Sequence, residues 1–235
     1  AVINEPHERP RKAINFYHFI DALSSAAPSN ACIVTDAGSA FYVLGHAYRV
    51  KKNQIFISSG SMGAMGYALP AANGAAVSKS KKVTICVTGD GSLMTNIHEL
   101  ATSKEYNLNV IIFVINNDGY VSMRNTQNQF FEGHQVAEGS STGVFIPSIE
   151  KITKSYNLPY KKINSEFNLV TNLKKIFLQT GPQVIEVISA RNQKLIPKVA
   201  STKLANGKMV SNPLEKMSPL LDETLVSKEL NFSIR

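Results

Sequence analysis

Six short apolar runs, rich in β-branched residues and separated by longer amphipathic stretches, constrain the fold more than any other feature of the chain. They are Cys32–Thr35, Gln54–Ile57, Val83–Thr88, Val110–Ile115, Tyr160–Ile163 and Gln183–Ser189. Runs of Val and Ile without polar alternation are strands covered on both faces, as in a parallel sheet. Helical spacing predicts helices over Ser39–Tyr48, Met62–Val77, Leu93–Glu105, Ser148–Tyr156 and Phe167–Gln179. Ile14, Phe16, Phe19, Ile20 and Leu23 mark an earlier helix that ends by Pro28. Strand alternating with helix implies right-handed βαβ units. The predicted fold class is therefore α/β: a doubly wound, mainly parallel sheet flanked by helices. Residues 1–12 read as a charged linker with two prolines and 13–190 as the domain. Periodicity fades after that, and 191–235 read as an extended C-terminal arm. With 235 residues, 43% of them apolar, one large domain has ample core.

Several function classes fall away. Cys32 and Cys86 sit inside apolar runs. They read as core residues of a reduced, cytoplasmic protein, not as a disulfide or metal framework. No stretch of roughly 18 apolar residues exists, so no membrane span is expected. The chain begins Ala-Val-Ile-Asn-Glu-Pro-His-Glu, which has neither a signal-peptide pattern nor an initiator Met. That is expected of a piece cut from something longer. The net charge is +8, and half of the excess lies beyond residue 190. The tail lysines Lys194, Lys198, Lys203 and Lys208 are dispersed among Pro, Asn and Ser. Nucleic-acid binding would cluster them, so a solvated surface is expected.

Chemistry concentrates at two strand ends. Val83–Thr88 runs into Gly89-Asp90-Gly91-Ser92, and Val110–Ile115 runs into Asn116-Asn117-Asp118-Gly119. Ligands of open α/β sheets bind at the carboxyl ends of strands. If the two strands are neighbours, the Asp90 carboxylate and the Asn117 amide oxygen face one point. Both are hard oxygen donors, suited to magnesium or calcium. Flanking glycines admit a phosphate, and the helix opening at Ser92 offers free N–H groups to an anion. The local chemistry points to a magnesium–diphosphate site.

Gly89-Asp90-Gly91, then 24 residues, then Asn116-Asn117 resembles the signature of thiamine diphosphate-dependent enzymes. Ser58 to Ala72 (Ser-Ser-Gly-Ser-Met-Gly-Ala-Met-Gly-Tyr-Ala-Leu-Pro-Ala-Ala) is similar to the cofactor-binding stretch of acetolactate synthase and its relatives. Asn96–Leu100 and Gly119–Arg124 are similar to acetolactate synthase-like proteins as well. The resemblance spans about Asn30 to Ser189. It implies the C-terminal pyrophosphate-binding (PP) domain of a thiamine diphosphate- and Mg2+-dependent decarboxylase or carboligase acting on a 2-oxo acid. The resemblance assigns Asp90, Asn117 and the Gly119 carbonyl to magnesium, and the Gly91 and Ser92 amides, with Gly38 and Ser39, to the diphosphate. Gly63 and Met65 meet the aminopyrimidine, Met65 holding the cofactor bent, and Tyr120 completes the cofactor set. One departure is visible: Ser39-Ala40-Phe41 stands where many acetolactate synthases have Gln-His-Gln.

The resemblance also shows what is missing. The Glu that activates the cofactor belongs, in this family, to a separate pyrimidine-binding domain, and no region of this chain is left to build it. A longer parent chain or a partner subunit has to supply it, within a homo-oligomer (dimer or tetramer), so the isolated chain is expected to be nearly inactive. Blander readings cover other residues. His98-Glu99 begins like a zinc-protease motif, but Thr102 stands where the second His would be. His46 and His134 read as surface residues, and Gly139–Gly143 as a mobile loop near the substrate. Arg124 reads equally as a substrate-carboxylate cation or a structural ion pair. The alternative to an enzyme is a non-catalytic Rossmann-like nucleotide-binding or dimerisation module. Gly60, Gly63 and Gly66 are three apart, however, the wrong spacing for a dinucleotide loop.

Overall fold

A computed structural model describes residues 13–78, 82–199, 201–204, 206–214, 217–219, 221–222, 224–226 and 228. The predicted linker, 1–12, lies outside them. Contacts divide the chain into a unit ending at Gln193 and a second covering Lys194–Arg235. In the first, all six predicted strands form one sheet. In chain order they are β1 (Cys32–Thr35), β2 (Ile55–Ile57), β3 (Thr84–Gly89), β4 (Val110–Asn116), β5 (Tyr160–Ile163) and β6 (Gln183–Ile188). Every pairing is parallel, in the order β2-β1-β3-β4-β6-β5.

The helices are α1 (Phe16–Ala26), α2 (Gly38–Ala47), α3 (Ala68–Ser78), α4 (Asp90–Thr95), α5 (Glu99–Glu105), α6 (Val121–Phe130), α7 (Ile149–Ser155) and α8 (Leu169–Phe177). Successive β4 side chains alternate between two layers. Ile112 and Val114 join Val34, Cys86 and Val184 against Leu69 and Ala72 of α3, Leu100 of α5 and Ile149 of α7. Phe113 points the other way, with ring centroids 5.5 Å from Phe19 of α1 and 6.4 Å from Phe177 of α8. Each fully buried side chain of this size contributes about 1.5–3 kcal/mol. The two layers explain why these strands lack polar alternation.

Three helical expectations are corrected. The helix expected over Met62–Val77 starts only at Ala68, after a 3-10 turn at Gly60–Met62. Gly66 has φ +75°, and a Cβ there would lie 1.9 Å from Thr95 Oγ1, so the chain turns tightly against α4 instead of winding. The helix expected over Leu93–Glu105 is two helices, α4 and α5. It breaks at Asn96, whose Nδ2 donates to the Gly66 carbonyl (2.9 Å). Helix α6 has no counterpart among the expectations. Its sequence is polar, and only Val121 and Arg124 are buried, so no apolar stripe announces it.

In the second unit the expected extended arm contains two antiparallel ribbons. These pair β7 (Lys198–Val199) with β10 (Met217–Ser218), and β8 (Ser201–Lys203) with β9 (Met209–Ser211). Among the described residues, no helix is long and apolar enough to cross a membrane.

Candidate cofactor and metal site

In the sheet order, β1 and β3 are neighbours although β2 lies between them in the chain. The chain therefore winds outward in opposite directions from this pair, and their carboxyl ends diverge into a crevice. Loops from three strands meet there: Asp36–Gly38 after β1, Gly89–Gly91 at the end of β3, and Asn116–Tyr120 at the end of β4. The β3–β4 register pairs Gly89 with Ile115, which brings Asp90 level with Asn116.

Asp90 is fully buried. Its carboxylate accepts the amides of Gly91 (2.8 Å) and Gly119 (2.9 Å), and the Asn117 amide also faces it. Burial nonetheless pushes its pKa up to about 6; these amides oppose the rise, and the nearby Asp118 charge adds to it. The two asparagines differ. Asn116 is committed: its Nδ2 donates to Glu186 (2.7 Å) and its Oδ1 accepts the Asp118 amide (3.2 Å). Asn117 Oδ1 is buried with no hydrogen-bond partner among the described residues. A carboxylate with a raised pKa beside an orphaned amide oxygen is an arrangement that a hard cation would relieve. No group of three or more His, Cys, Asp or Glu forms an alternative metal site among the described residues.

The loop around these donors is tightly shaped. Asp118 and Gly119 have φ +62° and +107°, and a Cβ on Gly119 would lie 2.4 Å from the Glu138 carbonyl oxygen. That carbonyl accepts the Tyr120 amide (2.7 Å). Arg124, one helical turn on, is fully buried against the equally buried Glu138. It donates to the carbonyls of Asn117 (3.2 Å), Asp118 (2.7 Å) and Arg191. The structural reading of Arg124 is thus the correct one, because its guanidinium is used up inside the protein. Gly139–Gly143, expected as a mobile loop, is a 3-10 turn (Ser140–Thr142). Thr142 Oγ1 accepts the Glu138 and Gly139 amides (2.9 and 3.0 Å). Ser140 donates to Asp118 through its hydroxyl (2.9 Å).

A cavity of about 450 Å3 opens above the three loops. Gly38, Ser39, Gly63, Met65, Gly91, Ser92, Asn117 and Tyr120, the predicted cofactor residues, all line it, together with Gly119. Asp90 lies buried at the head of α4, beside the lining residues Gly89 and Gly91. Sequence reasoning missed Asp36, which is fully buried at the end of β1. Its Oδ2 accepts the hydroxyls of Thr88 (2.6 Å) and Ser92 (2.7 Å), and its Oδ1 accepts the Ala37 amide. Desolvation raises its pKa, and those three donors counter the rise. Its place after a buried strand and two residues before Gly38 was the available signal. Ser122, also missed, lines the cavity and has a buried hydroxyl without a partner among the described residues.

The remaining candidates lie elsewhere. His134 is exposed. His98 is exposed too, with Nε2 3.9 Å from Glu99. His46 is exposed, but its ring stacks on Tyr17. Both cysteines are buried and unbridged.

Residues 36–187 match the family model of the thiamine pyrophosphate enzyme C-terminal TPP binding domain. Acetolactate synthase isozyme 1 large subunit of Escherichia coli K12 is 32% identical over 188 residues, 79% of this chain and 33% of that protein. Chloroplastic acetolactate synthase 1 of Nicotiana tabacum is 28% identical over 193 residues, 80% of this chain and 29% of the relative. A probable acetolactate synthase large subunit of Methanococcus aeolicus is 31% identical over 157 residues, 67% and 26% of the two chains. The chain spans about a third or less of these relatives' lengths. By the family match and the strand-end site that it covers, the chain belongs to the thiamine pyrophosphate enzymes, as their C-terminal cofactor-binding domain.

Proposed function

We propose that this chain supplies the diphosphate- and metal-binding half of a thiamine diphosphate- and Mg2+-dependent decarboxylase or carboligase acting on a 2-oxo acid. The observation that carries this reading is the pairing, at adjoining strand ends, of the buried Asp90 carboxylate with Asn117, which lines the cavity and whose buried Oδ1 has no partner among the described residues. With the Gly119 carbonyl they form a hard-oxygen donor set that magnesium completes with water and phosphate oxygens. The Ser92 amide, at the head of α4, faces the diphosphate with Gly38 and Ser39; the Gly91 amide, expected there as well, is instead given to the Asp90 carboxylate (2.8 Å). Gly63, Met65 and Tyr120 line the cavity beyond and take the aminopyrimidine–thiazolium body, Met65 bracing its bent shape. Thiamine diphosphate, when bound, supplies the electron sink that lets a 2-oxo acid lose carbon dioxide and its remaining fragment join an acceptor.

What this chain's residues do is bind and orient. The activating Glu comes from a pyrimidine-binding domain, in the same polypeptide or a partner subunit, within a homodimer or tetramer. The non-catalytic dinucleotide reading has less support, because Gly60, Gly63 and Gly66 do not lie between β1 and its following helix. Calorimetric titration of the full-length protein with thiamine diphosphate, with and without Mg2+, tests the proposal. Asp90→Ala is expected to abolish the Mg2+-dependent component, whereas unchanged affinity and metal dependence would overturn it. Brisk turnover by the 235-residue chain alone would overturn the half-site assignment.

A further inference from the structure

Met65 stands on a loop whose backbone is held at both of its neighbours. The Ala64 amide donates to Ser59 Oγ (3.2 Å), and that hydroxyl donates to the Asp36 carbonyl oxygen (3.0 Å). The Gly66 amide donates to Ser92 Oγ (2.8 Å), which donates to Asp36 Oδ2 (2.7 Å). A hydroxyl has one proton and two lone pairs. Each serine, by giving its proton to Asp36, turns a lone pair toward the amide that it must hold. Both tethers thus end on one residue, the Ser59 tether on its backbone carbonyl and the Ser92 tether on its carboxylate; that residue is fully buried and outside the predicted cofactor set.

We propose that Asp36 is a positioning residue that suspends the Gly63–Met65 loop over the cavity, setting where Met65 meets the body of the cofactor. This rests on the thiamine diphosphate reading above. Asp36 orders the loop under the organic half of the ligand, while the diphosphate and metal are held separately by Asp90, Asn117 and the head of α4. The Ser92 side chain is committed to this relay, which leaves only its amide for the phosphate.

Asn at position 36 keeps the shape but cannot accept from the Thr88 and Ser92 hydroxyls on one oxygen and from the Ala37 amide on the other. Either Nδ2 opposes the Ala37 amide, or it displaces the Thr88 and Ser92 protons; in both cases one donor of the cluster is left without its acceptor, and the Ser92 hydroxyl is no longer fixed for the Gly66 amide. In the full-length protein, Asp36→Asn is therefore expected to weaken thiamine diphosphate binding about tenfold, on the scale of one or two hydrogen bonds. Binding of inorganic pyrophosphate with Mg2+, which reaches only the diphosphate end, should change less than about twofold. An equal fall for both ligands, or none for either, would overturn the inference. If Asp36→Asn does not fold, the part-exposed Ser59→Ala decides. It is expected to give a selective loss of about threefold, which Ser59→Thr restores; failure of either arm would overturn the inference. A wild-type protein that binds thiamine diphosphate no better than pyrophosphate would overturn the underlying functional reading instead, and this inference with it.

Discussion

Replacing Arg124 by Leu tests whether the Asn116–Tyr120 loop, the proposed metal loop, is built on a buried ion pair. The Arg124 and Glu138 side chains are both 0% exposed. Removing the guanidinium strands Glu138 with Arg191 Nη2 (2.9 Å) and the Thr142 hydroxyl (3.4 Å) as its partners, and Arg191 is 39% exposed. It also takes donors from the carbonyls of Asn117, Asp118 and Arg191. Breaking a buried pair from one side costs about 3–5 kcal/mol. The surviving Arg191 contact places the expected loss near the lower end. Removing both charges in Arg124→Leu/Glu138→Leu leaves no stranded carboxylate at position 138, so the double variant should be at least about 1 kcal/mol more stable than Arg124→Leu alone. Urea unfolding followed by circular dichroism measures both, since the chain has no tryptophan. On the proposed reading, Mg2+-dependent cofactor affinity should fall in both variants, because two of the carbonyls that Arg124 holds belong to Asn117, a proposed metal ligand, and its neighbour Asp118. A single-variant loss under about 1 kcal/mol, or a double variant that costs the sum of the two singles, would refute the reasoning.

Two further outcomes follow from the same loop. Asp90, with its pKa raised to about 6 by burial, disfavours its own charge in the metal-free fold. Its contribution to metal-free stability is therefore full below the unfolded value of 3.8 and is lost as pH rises through about 6. On the proposed reading, a metal has to displace a proton from Asp90 at low pH. Calorimetry should then show Mg2+ affinity level above pH 7 and falling by up to about tenfold per unit below 6, and a flat profile from pH 5 to 8 would contradict this. Gly119→Ala combines a φ of +107° with a Cβ 2.4 Å from the Glu138 carbonyl oxygen. It is expected to displace the loop and remove Mg2+-dependent cofactor binding, with a stability loss of about 1–3 kcal/mol. Binding within twofold of wild type would show that the close approach is not needed.

The strands were legible because burial on both faces leaves an unbroken apolar run, and the parallel register then carries Asp90 and Asn117 to the same edge without further information. Asp90 and Asn117 stood out because glycines and a second polar residue at a strand end have no packing role. Asp36 was not legible. A single Asp after a strand looks like any turn residue until Ser92, 56 positions away, is seen to need an acceptor. Helix α6 was hidden for a related reason. It is anchored by a buried charge, Arg124, instead of an apolar stripe, and no periodicity scan registers an arginine as core. The premature start assigned to α3 reflects Gly66, whose constraint comes from Thr95 and Asn96 on another helix.

The cavity's own surface supports a half-site. On the proposed reading Met65 presses on the cofactor and should be dry in the working state, yet it is 49% exposed, and Met62, three residues before it, is 84% exposed. Methionine side chains are apolar and adaptable, and suit a surface against which something else packs. The charged groups beneath the cavity, by contrast, are settled within this unit: Asp90, Asp36 and Arg124 are buried and hydrogen-bonded, while Asn117 Oδ1 and Ser122 Oγ have no partner among the described residues. The physical division runs through the ligand. Charge, on the proposed reading, would be handled by groups that this domain buries for itself, and the apolar enclosure of the reactive ring would be left for a second domain. On the proposed reading, bringing that domain into place should protect Met62 and Met65 from mild oxidation by hydrogen peroxide, detected by mass spectrometry. Equal oxidation with the pyrimidine-binding domain present and absent would mean that the methionine side of the cavity is not the face it covers.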